Sequence, residues 1–160
     1  MAVIGVISDT HGLLRPEAVA VLAGVDHIIH AGDIGAPEII TALERIAPVT
    51  AVRGNNDREA WARSIPYTDV VAIAGRRIYV LHNIAELELD PAAEGFAAVI
   101  AGHSHKPAII ERNGVLFLNP GSAGRRRFKL PIAVAKLHVD ATSVRAEIHE
   151  LAATESRDAQ

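Results

Sequence analysis

Val3-Ile4-Gly5-Val6-Ile7-Ser8-Asp9-Thr10-His11 opens the chain with a short apolar run that breaks abruptly into a polar cluster. A run this short, bounded by turn-forming residues, reads as a central strand with a polar loop at its carboxyl end. The pattern recurs twice: Ile28 to Ala31 runs into Gly32-Asp33, and Val49 to Arg53 runs into Gly54-Asn55-Asn56-Asp57. Between these runs Pro16 opens a helix that buries Ala18, Val19, Val21 and Leu22 and stops near Gly24. Pro37 opens a second helix to Ile46, closed by Pro48. Three strand-loop-helix units in succession imply parallel strands with right-handed crossovers, whose carboxyl-end loops share one edge. Asp9, Asp33 and Asn55 are therefore expected to be neighbours.

Beyond Pro66 the pattern becomes strand-rich. Asp69 to Ala74, a turn at Gly75-Arg76, and Ile78 to Leu81 lead into His82, and Asp90 to Phe96 reads as a short helix. Ala97 to Ala101 ends at Gly102-His103-Ser104-His105. Ala108 to Glu111 and Val115 to Leu118 flank an Asn113-Gly114 hairpin turn, and Asn119-Pro120-Gly121-Ser122 is a further turn. Ile132 to Val139 and Ser143 to Leu151 alternate as a terminal hairpin.

The 160 residues are 49% apolar but only 4% aromatic, so the core must be built from Val, Ile, Leu and Ala. β-Branched runs suit buried parallel strands, which places the chain in the α/β class. One domain over residues 1–151 with a polar tail at 152–160 is the expected organisation. A formal net charge of -3 gives no global field favouring nucleic acid or an anionic membrane. The absence of cysteine excludes disulfides, thiolate nucleophiles and thiolate metal sites. The start MAVIGVIS lacks the basic residues and the length of a signal peptide, and no later apolar segment is long enough to span a bilayer. A soluble cytoplasmic protein with no membrane partner is expected.

The chemistry lies in the clusters at the strand ends. Asp-x-His at a strand end lets one turn aim a carboxylate and an imidazole at the same ion, and glycine before Asp33, Asn55 and His103 allows close backbone approach. Two divalent ions about 3.5–4 Å apart need a shared oxygen ligand, for which a carboxylate serves. Asp33 is the candidate bridge; Asp9, His11 and His105 fall to one ion, and Asn55, His82 and His103 to the other. Imidazole with carboxylate or carbonyl oxygen suits manganese, iron, nickel or zinc and disfavours an all-oxygen calcium site. Two dications offset by two carboxylates and one bridging hydroxide leave roughly one positive charge, a receptor for a phosphate ester. Taken alone, any of these residues, such as His82 after its apolar run, is an ordinary loop residue. That reading must be invoked separately for all seven.

The ordered series Asp9-x-His11, Gly32-Asp33, Gly54-Asn55, His82 and Gly102-His103-x-His105 resembles the calcineurin-like metallophosphoesterase superfamily. Within it the stretches ISDTHG, HAGDI, VRGNND, GHSHKP and NPGS look like the small bacterial and archaeal phosphodiesterases of the YfcE type. The resemblance implies two facing mixed β-sheets flanked by helices, the ligand set above, and metal-dependent hydrolysis of small phosphoesters, commonly with manganese. Asn55 and Asn56 are the candidate catalytic pair. Larger family members carry a proton-donating histidine after the ligand asparagine, and here Asn56 stands in its place; Asn83 follows His82 where the family often has glycine. General acid help is worth about 10²–10⁴-fold, so alkoxide leaving groups are expected to depart slowly. The alternative from another class is a metal-binding scaffold with little activity, resembling the retromer subunit that shares the fold; the intact ligand set argues against it.

The remaining signals have blander readings. His27 and His30 read as partly buried structural residues, His30 being near enough to Asp33 to support it. His138 and His149 read as surface histidines, and Trp61 and Ile65 as candidates for contact in a homo-oligomer. Arg125-Arg126-Arg127-Phe128-Lys129 reads as a solvated loop able to steer a phosphorylated ligand. One basic run in an acidic chain makes a poor nucleic-acid site.

Overall fold

The computed structural model describes residues 1–127 and 129–152. Its first half follows the expected order: β1 (Ala2–Ile7), α1 (Pro16–Leu22), β2 (His27–His30), α2 (Pro37–Glu44) and β3 (Val49–Ala51). Both helices begin with proline, whose missing N–H costs nothing in the first turn. The second half supplies β4 (Thr68–Ile73), β5 (Arg76–Leu81), β6 (Ala98–Ile100), β7 (Ala108–Arg112), β8 (Val115–Asn119), β9 (Ala133–Val139) and β10 (Val144–Glu150).

The strands form two mixed five-stranded sheets, ordered β10-β9-β1-β2-β3 and β4-β5-β6-β8-β7. As the three repeated units required, β1, β2 and β3 are parallel neighbours, and β9 closes the other side of β1 antiparallel. Alternation along β1 makes two cores. Ile4 and Val6 face the second sheet, where they join Ile29, Val52, Ile78, Val80, Ile100 and Leu118. Ile7 faces the helices with Ala18, Leu22, Ile28, Ile39 and Leu43. A strand buried on both faces has no polar alternation, which is why β1 reads as a continuous apolar run. Gly5 leaves room for this packing, since a Cβ there would lie 2.5 Å from Leu22 Cδ2.

Several sequence expectations need correction. Asp90 to Phe96 is a series of turns rather than a helix. Asp90 Oδ1 accepts from the amides of Ala92 and Ala93, and Gly95 takes φ 79°, so the chain reverses before a helical ladder can form. The β4–β5 turn sits at Ala74-Gly75, with Arg76 already in β5. Single 3-10 turns at Ala60–Ser64 and Ile84–Glu86 went unread. Trp61 and Ile65 are partly buried against the helix-side core. His138 is largely buried and shares the Glu147 carboxylate with His149, at 3.2 and 3.1 Å. Phe128 of the basic cluster and residues 153–160 of the tail lie outside the described residues. Among the described residues no helix is long and apolar enough to cross a membrane.

Candidate metal centre

The loops leaving β1 and β2 are tied directly together: Asp9 N–H donates to Gly32 O at 3.0 Å and His11 N–H to Asp33 O at 2.9 Å. The β3 loop joins them through Asp57, a buried carboxylate whose Oδ2 accepts from the amides of Ile34 and Gly54 and whose Oδ1 accepts from Gly35. The expected adjacency of Asp9, Asp33 and Asn55 therefore holds, through an aspartate the motif reading passed over. The spacing glycines serve an additional purpose. A Cβ at Gly54 would collide with the Asp33 carboxylate, and one at Gly102 with Ser8 Oγ and Asp9 Oδ2. They admit the neighbouring loops.

At this edge the side chains converge. Asp9 Oδ1 lies 3.4 Å from His105 Nε2, 3.8 Å from His11 Nε2 and 3.9 Å from His82 Nε2. Asp33 Oδ2 lies 3.3 Å from His82 Nε2 and 3.7 Å from His11 Nε2. Two clusters result, Asp9-His11-His105 and Asp9-Asp33-His82, so Asp9 belongs to both while Asp33 reaches toward His11 of the first. Asn55 and His103 stand outside these clusters with exposed side chains. They line one cavity of about 820 Å³ together with His82, and the His103 ring meets His82 edge-on at 5.2 Å. Asp9, His11, Asp33, His103 and His105 all take positive φ, a conformation costing non-glycine residues of order 1–3 kcal/mol each and tolerated where surrounding structure enforces it.

The donor set fits a cation. Asp9 Oδ2 is satisfied by Ser8 Oγ at 2.7 Å and His103 N–H at 3.1 Å, whereas Asp9 Oδ1, His11 Nε2, His82 Nε2 and His105 Nδ1 are buried without a hydrogen-bond partner. Unsatisfied buried polar atoms are rare and call for an explanation. His82 supplies one: its Nδ1 donates to Ala31 O at 2.7 Å, so in neutral imidazole the Nε2 lone pair faces two carboxylates. Only a positive species relieves that arrangement, and a backbone carbonyl fixing the ring is a usual support for a metal-binding histidine. Burial pushes His82 down, but its hydrogen bond to Asp33 and the Asp9 charge outweigh it and raise it above the ordinary histidine value. Burial likewise pushes Asp9 and Asp33 up, and their histidine and amide partners overcome it to hold both below the usual carboxylate range.

Further residues support the edge without forming its clusters. His30 is fully buried; it does not bond Asp33 but accepts from Gly32 N–H through Nδ1 at 3.1 Å and meets Thr10 Oγ1 through Nε2 at 3.0 Å. Burial pushes it down to about 4. His27 is partly buried and bonds Thr50 Oγ1 at 2.8 Å. Asn119 Nδ2 donates to Gly102 O and Ser104 Oγ, holding the His103 loop. Ser122 Oγ donates to Asp9 O at 3.1 Å, which brings the NPGS turn against the centre; Arg125, Arg126 and Arg127 after it are exposed.

Buried carboxylates and imidazoles gathered at the shared edge of facing mixed sheets define a metallophosphoesterase-type centre. The chain belongs to the calcineurin-like phosphoesterase superfamily, whose domain model matches residues 2–142, and this family implies use of divalent metal. It is 37% identical over 157 residues to a probable metallophosphoesterase of Methanothermobacter thermautotrophicus, covering 91% of this chain and 90% of that one. A solved archaeal phosphodiesterase is similar at TM-score 0.75 and 26% identity, over 92% of this chain and 99% of that one. Vps29 of Chaetomium thermophilum shares the fold at TM-score 0.80 and 23% identity, over 98% and 92%.

Proposed function

We propose that the chain is a binuclear metal-dependent phosphoesterase that hydrolyses small phosphodiesters, with monoesters as a second class. Water adds to phosphorus and one ester P–O bond breaks, giving a monoester and an alcohol. The observation that carries this reading is the group of buried, unpartnered nitrogen and oxygen atoms on Asp9, His11, His82 and His105. Asp9, His11 and His105 would hold one ion, Asn55, His82 and His103 the other, with Asp33 shared; manganese is favoured, with nickel, iron or zinc as alternatives. When bound, the ions supply Lewis acidity to the phosphoryl oxygens and lower the pKa of water.

The protein's own part is to orient and to exclude alternatives. Ser8 and the His103 amide occupy Asp9 Oδ2 and so leave Oδ1 to the centre. The Ala31 carbonyl turns His82 Nε2 inward. Asn55 sits on the cavity wall, where its amide can meet both ion and phosphoryl oxygen. Asn56 has no acidic proton to give a leaving group, and its side-chain amide is engaged with Asp33 at 3.2 Å. The likeness to Vps29 carries the fold alone, and the full ligand set speaks against a purely scaffolding role.

The test is to strip the protein with chelator and assay aryl phosphodiesters and phosphomonoesters while adding manganese, nickel, zinc and magnesium separately. Metal-dependent turnover of the diester is expected. No turnover with any of these ions would favour the scaffold.

A further inference from the structure

Arg53 follows β3 and precedes the Asn55 loop. Its backbone is anchored, N–H donating to Pro66 O at 2.8 Å. Its guanidinium lies 4.0 Å from the centroid of the Tyr67 ring, and its Nε is buried without a hydrogen-bond partner. Among the described residues no carboxylate pairs with it. It lines the same cavity as Asn55, His82 and His103, which runs on past Tyr67, Thr68 and Tyr79.

An arginine that packs on an aromatic face and lacks an anion is preorganised to receive one, because the planar fork matches carboxylate and phosphate bidentately and stays charged at any working pH. Tyr67 is 63% exposed, so the pair stands at the cavity rim and not in a core where the ring alone would account for it. The cavity, at about 820 Å³, falls within the range that holds whole small ligands and far exceeds the needs of one phosphoryl group. The reacting phosphoryl already has the metal centre. A second anion is what remains for Arg53 to bind.

Resting on the phosphoesterase reading, we infer that Arg53, braced by Tyr67, binds a second, non-reacting anionic group of the substrate, so that the preferred substrates are phosphodiesters whose retained ester arm ends in a carboxylate or a phosphate. Glu86 and Glu88 line the same cavity and oppose an anionic arm, so its gain must come from contact with Arg53 itself.

The experiment compares three p-nitrophenyl phosphodiesters on the metal-loaded protein, differing only in the second arm: propyl, 3-carboxypropyl and 3-phosphopropyl. KM is expected to be about tenfold lower for at least one anionic arm than for propyl, and the larger preference identifies the group. Arg53→Gln should bring the KM ratio to near one by raising KM on the anionic probes, and Arg53→Lys should retain part of it. Metal content of each variant, measured by elemental analysis, separates loss of the arm site from damage to the Asn55 loop. Equal KM values for all three probes in the native protein, or a preference that survives Arg53→Gln at full metal content, overturns the inference while leaving the hydrolase reading intact. Failure to cleave any of the probes removes both.

Discussion

Asn56 grips both oxygens of Asp33: its backbone N–H donates to Oδ1 at 2.9 Å and its side-chain amide donates to Oδ2 at 3.2 Å. The residue occupying the place of the family's proton donor thus orients the proposed bridging carboxylate. Replacing a supporting partner of a metal ligand costs about 10–100-fold in metal affinity. Asn56→Ala, which keeps the backbone bond and loses the side-chain one, should weaken manganese binding toward the lower end of that range in a calorimetric titration. Unchanged affinity would mean that the backbone bond alone fixes Asp33.

The same grip bears on leaving groups. With no proton donor at position 56, rate should fall steeply as leaving-group pKa rises, so aryl esters should be cleaved far faster than alkyl esters. Asn56→His should raise turnover on alkyl esters more than on activated aryl esters if its imidazole reaches the leaving oxygen, though it sacrifices the amide bond to Asp33. A rate independent of leaving-group pKa in the native protein would show that another residue supplies the proton.

His30 sets an acid limit on stability. Its Nδ1 accepts from Gly32 N–H, so Nε2 carries the proton toward Thr10 Oγ1, whose hydroxyl donates to Ile34 O at 2.7 Å. The native imidazole resists protonation down to about 4, well below the ordinary histidine value of about 6.5, so the unfolded chain takes up a proton first as pH falls. Stability should drop between about pH 6.5 and 4, by at most about 3 kcal/mol from this group. His30→Phe should cost about 1–3 kcal/mol at pH 7 through the amide and hydroxyl it leaves unpaired, and should flatten this part of the pH dependence. Urea unfolding in chelator at pH 7 and pH 5 measures both; an identical pH slope in native and variant protein would contradict the assignment.

The first sheet was legible because each of its three parallel strands is an apolar run ending in a polar cluster, and the helices between them start at proline. The β4–β5 and β7–β8 hairpins were legible from their turns, but the facing second sheet as a whole came from family resemblance, since no local pattern places β6 between β5 and β8. The residue types of the candidate ligands, and the shared edge of Asp9, Asp33 and Asn55, were legible from the strand-end pattern. The bonds that aim them were not: Thr10 meets His30 and Asn119 meets Gly102 across gaps of 20 and 17 residues, and no local pattern encodes such partners. Asp57 was visible beside Asn55 but silent, because its acceptors are filled by backbone amides whose positions only the folded loops define. Asp90 to Phe96 misled because a proline and an acidic residue mark turns as readily as helix starts.

The proposed function requires one centre to hold two ions and Asp33 to serve both. Equilibrium titration of the stripped protein with manganese, with bound metal counted by elemental analysis and turnover of bis(p-nitrophenyl) phosphate followed in parallel, tests it most directly. Two ions per native chain are expected, with activity rising as the second site fills. Asp33→Ala should lose affinity at both sites and most of its activity, whereas His103→Ala should weaken mainly one site and recover in part with excess metal. An Asp33→Ala protein that kept two bound ions and near-native turnover would contradict the account.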